Sequence, residues 1–470
     1  MRKLIGDRRF YKTVLAVAVP IVIQNGITNF LGLLDNVMLG LVGTEQMSGV
    51  AIANQLFFVF NLCIFGGVSG AGLFAAQFHG AKNAEGVRMS FRFKLYICAA
   101  VCAAGFIVFL LFGERLIGLF LTGEGSPEST AAAAEYGLQY LFIVCFSLPL
   151  FSLTSSYAGT LRETGETLLP MKASVVSMLV NFSLNYILIF GKLGFPALGV
   201  RGAAIATVAA RVVECAIVIF GAHRGKRFEF ARGLYRTVRV PARFVWKLLR
   251  KSVPLMLNEA LWALGMALLF QLYSRRGFAV ISGLNITGTV TNMFNVAIMS
   301  MGNAVAILVG QQLGANEMEQ ARDTDNKLIL LSVICCAALG CILAALSPFI
   351  PLIYNTTGEI RRLATVFLLI AAGFLPVHAL INCCYFTLRA GGKMLLTFVF
   401  DCVSLWCVSI PVVALLVTQT GLYITAVYLV GQLLELVKTV FGFVLVRKGI
   451  WMRNIVSSEI DNRTELTYTE

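Results

Sequence analysis

Charged side chains are scarce in this chain: Asp, Glu, Lys and Arg make up 13% of its 470 residues, whereas 58% are apolar. A soluble domain carries about 25% charged residues, and a chain this poor in them cannot clothe a water-facing surface, so a soluble fold is excluded. Histidine is rarer still, with His79, His223 and His378 scattered along the chain. With no cysteine pair at zinc-ligand spacing either, no metal is expected beyond Na⁺. The 12 cysteines do not form a disulfide scaffold. Most lie inside apolar runs, among them Cys98, Cys102, Cys335, Cys336, Cys383 and Cys384, and read as small buried side chains. Enzyme motifs are absent too. There is no Walker A sequence, Gly70-Ala-Gly72-Leu-Phe-Ala75 has no strand before it, and Gly67-Val-Ser69-Gly70-Ala71 fails the nucleophile-elbow pattern at its last position. Neither an enzyme nor an ATP-driven pump is indicated, and no cofactor is called for.

What the chain has in abundance is long apolar sequence, with a mean hydropathy of +0.81. A spanning helix needs about 20 mostly apolar residues. Twelve runs qualify, from residues 13–41 at the start to 422–446 at the end. An all-α membrane protein of 12 transmembrane helices follows. The first run is too long for a signal-peptide core and has no small-residue cleavage site, so it reads as a retained helix. Lys and Arg alternate between loops: 29 fall in the two tails and the loops after even-numbered runs, and 7 in the other loops. By the positive-inside rule both termini are cytoplasmic, in a plasma or inner membrane. The +14 net charge is mostly this asymmetry. It points to anionic lipid headgroups in the bilayer and not to nucleic acid.

An internal repeat divides the chain. Val19-Pro20 recurs as Val253-Pro254, Gly49 as Gly283, Asn61 as Asn295, and Gln77-Phe-His-Gly80-Ala81 as Gln311-Gln-Leu-Gly314-Ala315, all at an offset of 234. Leu161-Arg162-Glu-Thr-Gly165 then matches Leu388-Arg389-Ala-Gly-Gly392 at 227. Between the halves, His223 to Lys251 holds ten basic residues. The expected organisation is an N-terminal six-helix lobe over 1–222, a basic cytoplasmic linker over 223–251, a C-terminal six-helix lobe over 252–446 and a polar cytoplasmic tail over 447–470. An even number of helices per half makes the repeats parallel, with binding expected between them.

An ionisable group deep in a bilayer costs at least about 2.5–3.5 kcal/mol on insertion scales, so each needs a partner, water or a task. Asp35 lies late in the first run. The fifth run carries Asn181 and Asn185, four apart and therefore on one helical face, and the sixth carries Thr207. A carboxylate beside amides and a hydroxyl could hold H⁺ or Na⁺, or the same groups could simply tie helices together. Arg211 with Glu214, and Glu435 with Lys438, are opposite charges three residues apart and read as self-neutralising pairs. Glu259 has no such partner on its own helix, which makes it the second half's best acid for attracting a cation. His378 and Asn382 share a face, and Asp401 lies in the eleventh run. Pro20, Pro149, Pro254 and Pro376 fall inside helical runs, where a missing N–H permits bending. Pro20 and Pro254 are the candidate hinges. The 35 phenylalanines and 14 methionines supply packing and, in any central cavity, surfaces suited to flat apolar cations.

Several of these features together resemble the multidrug and toxic compound extrusion (MATE) family: two six-helix halves, Pro20 followed by Asp35-Asn36-Val-Met-Leu-Gly40, the Gln77 and Gln311 motifs, and Leu161-Arg162 with Leu388-Arg389. Asn181-x3-Asn185 and Gly199-Val-Arg-Gly-Ala-Ala-Ile-Ala-Thr207 add to the likeness, which covers about residues 10 to 450. The resemblance implies a V-shaped pair of lobes that alternates access, a monomer that exports small organic cations and drugs against inward H⁺ or Na⁺. Asp35 matches the family's ion-binding carboxylate, with Asn181, Asn185 and Thr207 as its partners, although some relatives have Asp where this chain has Asn185. In the second lobe, relatives place a Glu where this chain has Trp262 and an Asp where it has His378. The substrate or second-lobe cation site is then expected among Glu259, Trp262, His378 and Asn382. The alternative is a lipid-linked oligosaccharide or polysaccharide flippase of the same superfamily, which would need basic residues in its cavity to meet a diphosphate.

Overall fold

Lipid offers backbone groups no hydrogen-bond partners, so a chain this apolar must pair its amides within each segment. The computed structural model describes residues 5–121, 127–224, 228–237, 239–354 and 356–457, and among them there is helix but no strand. Thirteen helices follow in chain order: α1 (Arg8–Gly40), α2 (Thr44–Gly80), α3 (Ala84–Phe120), α4 (Pro127–Val144), α5 (Ser147–Glu163), α6 (Leu168–Phe190) and α7 (Gly199–Arg224). After the connector come α8 (Ala242–Ser274), α9 (Phe278–Gly314), α10 (Met318–Leu346), α11 (Gly358–Ala390), α12 (Met394–Gln419) and α13 (Ile424–Arg447). Eleven are long and apolar enough to cross a membrane, and α4 with α5 forms a twelfth, bent span.

The fourth span bends near Pro149, one of the prolines expected to permit bending. The helix breaks between Val144 and Ser147 and turns by 51°. Pro149 supplies the cause, because it has no N–H to return to the carbonyl of Cys145. The Ser147 hydroxyl instead donates to the Val144 carbonyl at 2.6 Å. A related distortion marks α12, where two π turns cover Val399–Val403 and Leu405–Ser409 just before Pro411.

The chain divides into two compact units. The Asp35 unit comprises Ile23–Ala75 and Ala84–Met256. Within it α7 packs on α4, α5 and α6, over an apolar core that includes Leu39, Val50, Ala53, Ile117, Leu141 and Ala204. The segment expected as a linker, 223–251, is partly structured: it carries a 3₁₀ turn at Glu229–Ala231 and the start of α8 at Ala242. Its turn docks on α3, where Arg88 and Arg92 donate to the Glu229 and Leu234 carbonyls, each at 3.1 Å. Residues 225–227 and 238 of that segment lie outside the described residues, as does 458–470 of the expected tail.

The Glu259 unit comprises Met1–Val22, Ala76–Asn83 and Leu257–Glu470. At its centre α11 packs on α9, α10 and α13. Val17, Ala18 and Ile21 of α1 join Met301, Ala304 and Ile307 of α9 in its core. α1 and α8 each pass from one unit to the other, after Val22 and after Met256. Both borders fall two residues beyond a proline, Pro20 and Pro254, at the same offset of 234 that relates the halves. Each proline lies inside an uninterrupted helix.

The repeated Gln-x-x-Gly-Ala motifs meet inside this unit. A Cβ on Gly80 would strike the Gln311 carbonyl, and one on Gly314 would strike the Gln77 carbonyl. Only glycine lets the two helix ends cross this closely. The C-terminal segment fastens the crossing. Gln77 Nε2 donates to the Ala390 carbonyl at 2.9 Å and to Arg453 at 3.3 Å, Gln77 Oε1 accepts from the Ile455 amide at 2.8 Å, and Asn454 donates to the Gly314 carbonyl at 3.2 Å. Trp451, fully buried, anchors the segment. Gly314→Ala overpacks this crossing, which costs about 1–3 kcal/mol. Its melting midpoint in detergent should fall, whereas Gly288→Ala, whose Cβ meets nothing within 4 Å, should melt like the parent. Equal midpoints for the two variants would refute the tight crossing.

Candidate functional site

In the Asp35 unit, four elements bring polar groups to one buried point. The C-terminal part of α1 carries Asp35, 8% exposed, and α6 presents Asn181 and Asn185, both fully buried, one turn apart. Asn185 Nδ2 donates to Asp35 Oδ1 at 2.6 Å and to Asn181 Oδ1 at 2.8 Å. Asn181 Nδ2 reaches Thr207 Oγ1 on α7 at 3.5 Å, and that hydroxyl donates to the Ala203 carbonyl at 3.0 Å. The fourth element is α4, whose buried Tyr140 shares a hydrogen bond with Thr207. The sequence offered no sign of Tyr140, which stands as one more aromatic in an apolar run.

Two features give this point its chemistry. Among the described residues no Lys or Arg forms an ion pair with Asp35; Arg211 binds Glu214 at 2.7 Å instead. Asn185 Oδ1 is buried and has no hydrogen-bond partner among the described residues. An unanswered acceptor beside a carboxylate held by amides alone is a donor set for a small cation or a proton.

The other buried carboxylates and bases mostly answer one another. Lys94, fully buried, meets Glu163 at 2.5 Å and the Thr160 hydroxyl at 2.9 Å. Ser174 donates to Glu214 at 2.8 Å, completing the Arg211 pair. Asp325 on α10 resembles Asp35 in having no ion pair among the described residues, but Thr387 donates to it at 2.5 Å.

In the Glu259 unit the expected cluster is not a single cluster. Glu259, without a partner on its own helix, pairs with Arg389 of α11 at 3.4 Å and accepts from the Tyr385 hydroxyl at 3.2 Å. Asn258 then links Tyr385, at 2.9 Å, to Asp401 Oδ2, at 3.2 Å. Lys438 lies closer to Asp401, at 2.5 Å, than to Glu435, at 3.6 Å, so the anticipated Glu435–Lys438 pair is shared with a third group. His378 bonds Gln432 and lies by Glu435 and Lys438. Asn382 instead faces α9, with its amide 3.5 Å from the Met299 sulfur. Trp262 packs on an apolar cluster with Leu272, Leu405 and Ile410. Partners such as Arg389 and Asp401 sit on other helices, and sequence spacing carries no information about helix rotation.

A family model described as MatE matches residues 20–187 and 254–415, two stretches that begin at the paired prolines. A curated relative, the probable multidrug resistance protein NorM of Thermotoga maritima, is 25% identical over 453 residues, covering 95% of this chain and 94% of its own length. The probable multidrug resistance protein YoeA of Bacillus subtilis is 26% identical over 418 residues, covering 87% and 88%. Among solved structures, the outward-facing conformation of a multidrug resistance MATE family transporter of the MOP superfamily superposes with a TM-score of 0.82, at 19% identity, over 95% of this chain and 97% of that one. That likeness establishes the fold.

If Arg211 belongs to Glu214 and not to Asp35, Arg211→Met alone should destabilise the protein by about 3 kcal/mol, the cost of leaving a buried partner behind. Arg211→Met/Glu214→Leu should recover most of that loss on thermal unfolding in detergent, with ion-driven transport retained. Loss of transport in the double variant at parental stability would tie Arg211 to Asp35 after all.

Proposed function

Because this chain belongs to the MatE family, we propose that it is a secondary active multidrug exporter, moving organic cations and drugs out of the cell in exchange for inward H⁺ or Na⁺. The observation that carries the coupling is Asp35: a buried carboxylate met only by an amide, beside the unanswered Asn185 oxygen. Such a group tolerates the low dielectric only with a proton or a cation on it. Asn181 and Asn185 orient the carboxylate, and Thr207 with Tyr140 closes the hydrogen-bond chain behind them.

Coupling needs no contact between ion and drug. Each ligand must only favour a different conformation, because a ligand shifts an equilibrium by its differential affinity. Loading Asp35 from outside repacks α1 around Pro20 and disfavours the drug-bound state, and release to the cytoplasm resets it. The border between units two residues past Pro20 supports that hinge. Asp325 is another buried carboxylate without an ion pair among the described residues, and differs in its donor, the Thr387 hydroxyl. The Lys and Arg distribution supports cytoplasmic termini in the plasma or inner membrane, and a monomer suffices because one chain carries both halves.

A lipid-linked oligosaccharide flippase needs bases available to a diphosphate. Buried Lys94, Arg389 and Lys438 and partly buried Arg211 each face a carboxylate, which weighs against that reading.

In proteoliposomes, an imposed proton gradient or an imposed Na⁺ gradient should drive efflux of a cationic dye, and the effective gradient names the ion. Asp35→Asn should abolish that drive while insertion and dye binding persist. Near-parental efflux by the variant would remove Asp35 from the mechanism.

A further inference from the structure

Lys438 is placed between two carboxylates on different helices. Its ammonium lies 2.5 Å from Asp401 on α12 and 3.6 Å from Glu435, one turn earlier on its own helix α13. Asp401 keeps a second donor, Asn258 Nδ2 at 3.2 Å on its other oxygen. A swing of the lysine toward Glu435 therefore vacates one Asp401 oxygen while the ammonium stays paired. Neither half of that exchange strands a charge in a low dielectric, where an unpaired ion is most costly.

The surrounding charge leaves room for a guest. Among the described residues Glu259, Asp401 and Glu435 pair with Arg389 and Lys438, and the His378 imidazole lies beside Glu435 and Lys438; with that imidazole neutral, three acids meet two bases, one negative charge in excess. Phe400 provides an apolar wall, with its ring centroid 5.6 Å from the lysine nitrogen. Aromatic faces stabilise a desolvated cation. Asp401 also sits within the Val399–Val403 π turn, a backbone distortion found often at functional sites.

We propose that Lys438 is a tethered competitor for the substrate's positive charge and sets the charge specificity of the exporter: a monovalent lipophilic cation binds by replacing the Lys438 ammonium on Asp401, and the lysine retires to Glu435. This rests on the exporter reading above but not on Asp35, since it concerns drug binding without a gradient.

The test measures equilibrium binding to the purified full chain in detergent of tetraphenylphosphonium and of its uncharged analogue triphenylphosphine oxide. Lys438→Met removes the competitor and should tighten tetraphenylphosphonium binding about tenfold, a modest share of the interaction between unit charges at contact distance. Glu435→Gln removes the lysine's second seat and should weaken that binding, with the uncharged ligand unaffected in both variants. Glu435→Gln, at a partly exposed position, keeps the test available if Lys438→Met does not fold. Weaker phosphonium binding by Lys438→Met, or equal shifts for both ligands, overturns the proposal while leaving the exporter reading intact. Binding of neither ligand by the parent or any variant overturns both.

Discussion

A charge in lipid must be answered. Water cannot stabilise it there, so each buried acid requires an opposite charge, a proton or a bound cation. That constraint sorts the acids of this chain. Glu163, Glu214, Glu259 and Asp401 each have a lysine or arginine within 4 Å; three of those pairs join different helices, and Arg211–Glu214 lies within α7. Among the described residues Asp35 has no ion pair, only the Asn185 amide, and Asp325 likewise has only the Thr387 hydroxyl. In the proposed mechanism the Asp35 charge is balanced by an ion that arrives and departs.

The covalent path of α1 gives that group leverage. Asp35 lies in one compact unit, while Val17, Ala18 and Ile21 of the same helix are built into the core of the other. Pro20 lies among them, where the helix lacks a backbone hydrogen bond and yields more readily to bending. A change of state at Asp35 thus has a mechanical route along a single helix. In the Glu259 unit the Gly80–Gly314 crossing and its fastening by Asn454 and Ile455 make the opposite contribution: close backbone contact and hydrogen bonds tie two helix ends to the C-terminal segment.

Much of this was legible in the residues. Span number, the repeat and the shared face of Asn181 and Asn185 follow from periodicity and spacing, because those depend only on geometry within a helix. Arg389 opposite Glu259, Asp401 opposite Lys438, and Tyr140 behind Thr207 were not legible. Each depends on how one helix is rotated against another, and in a chain apolar on nearly every face no amphipathic stripe reports that rotation. The break before Pro149 was signalled by the proline alone, and the docking of Asn454 on Gly314 by nothing local, since one side-chain amide joins segments 140 residues apart.

If Asp35 carries the coupling ion and drug binding displaces it, saturating the purified protein with a cationic drug in weakly buffered detergent solution should release protons, or Na⁺ ions, that can be counted per chain. Release by the parent protein should be stoichiometric and should disappear in Asp35→Asn while the drug still binds. Release of the same size from the variant would contradict that role for Asp35.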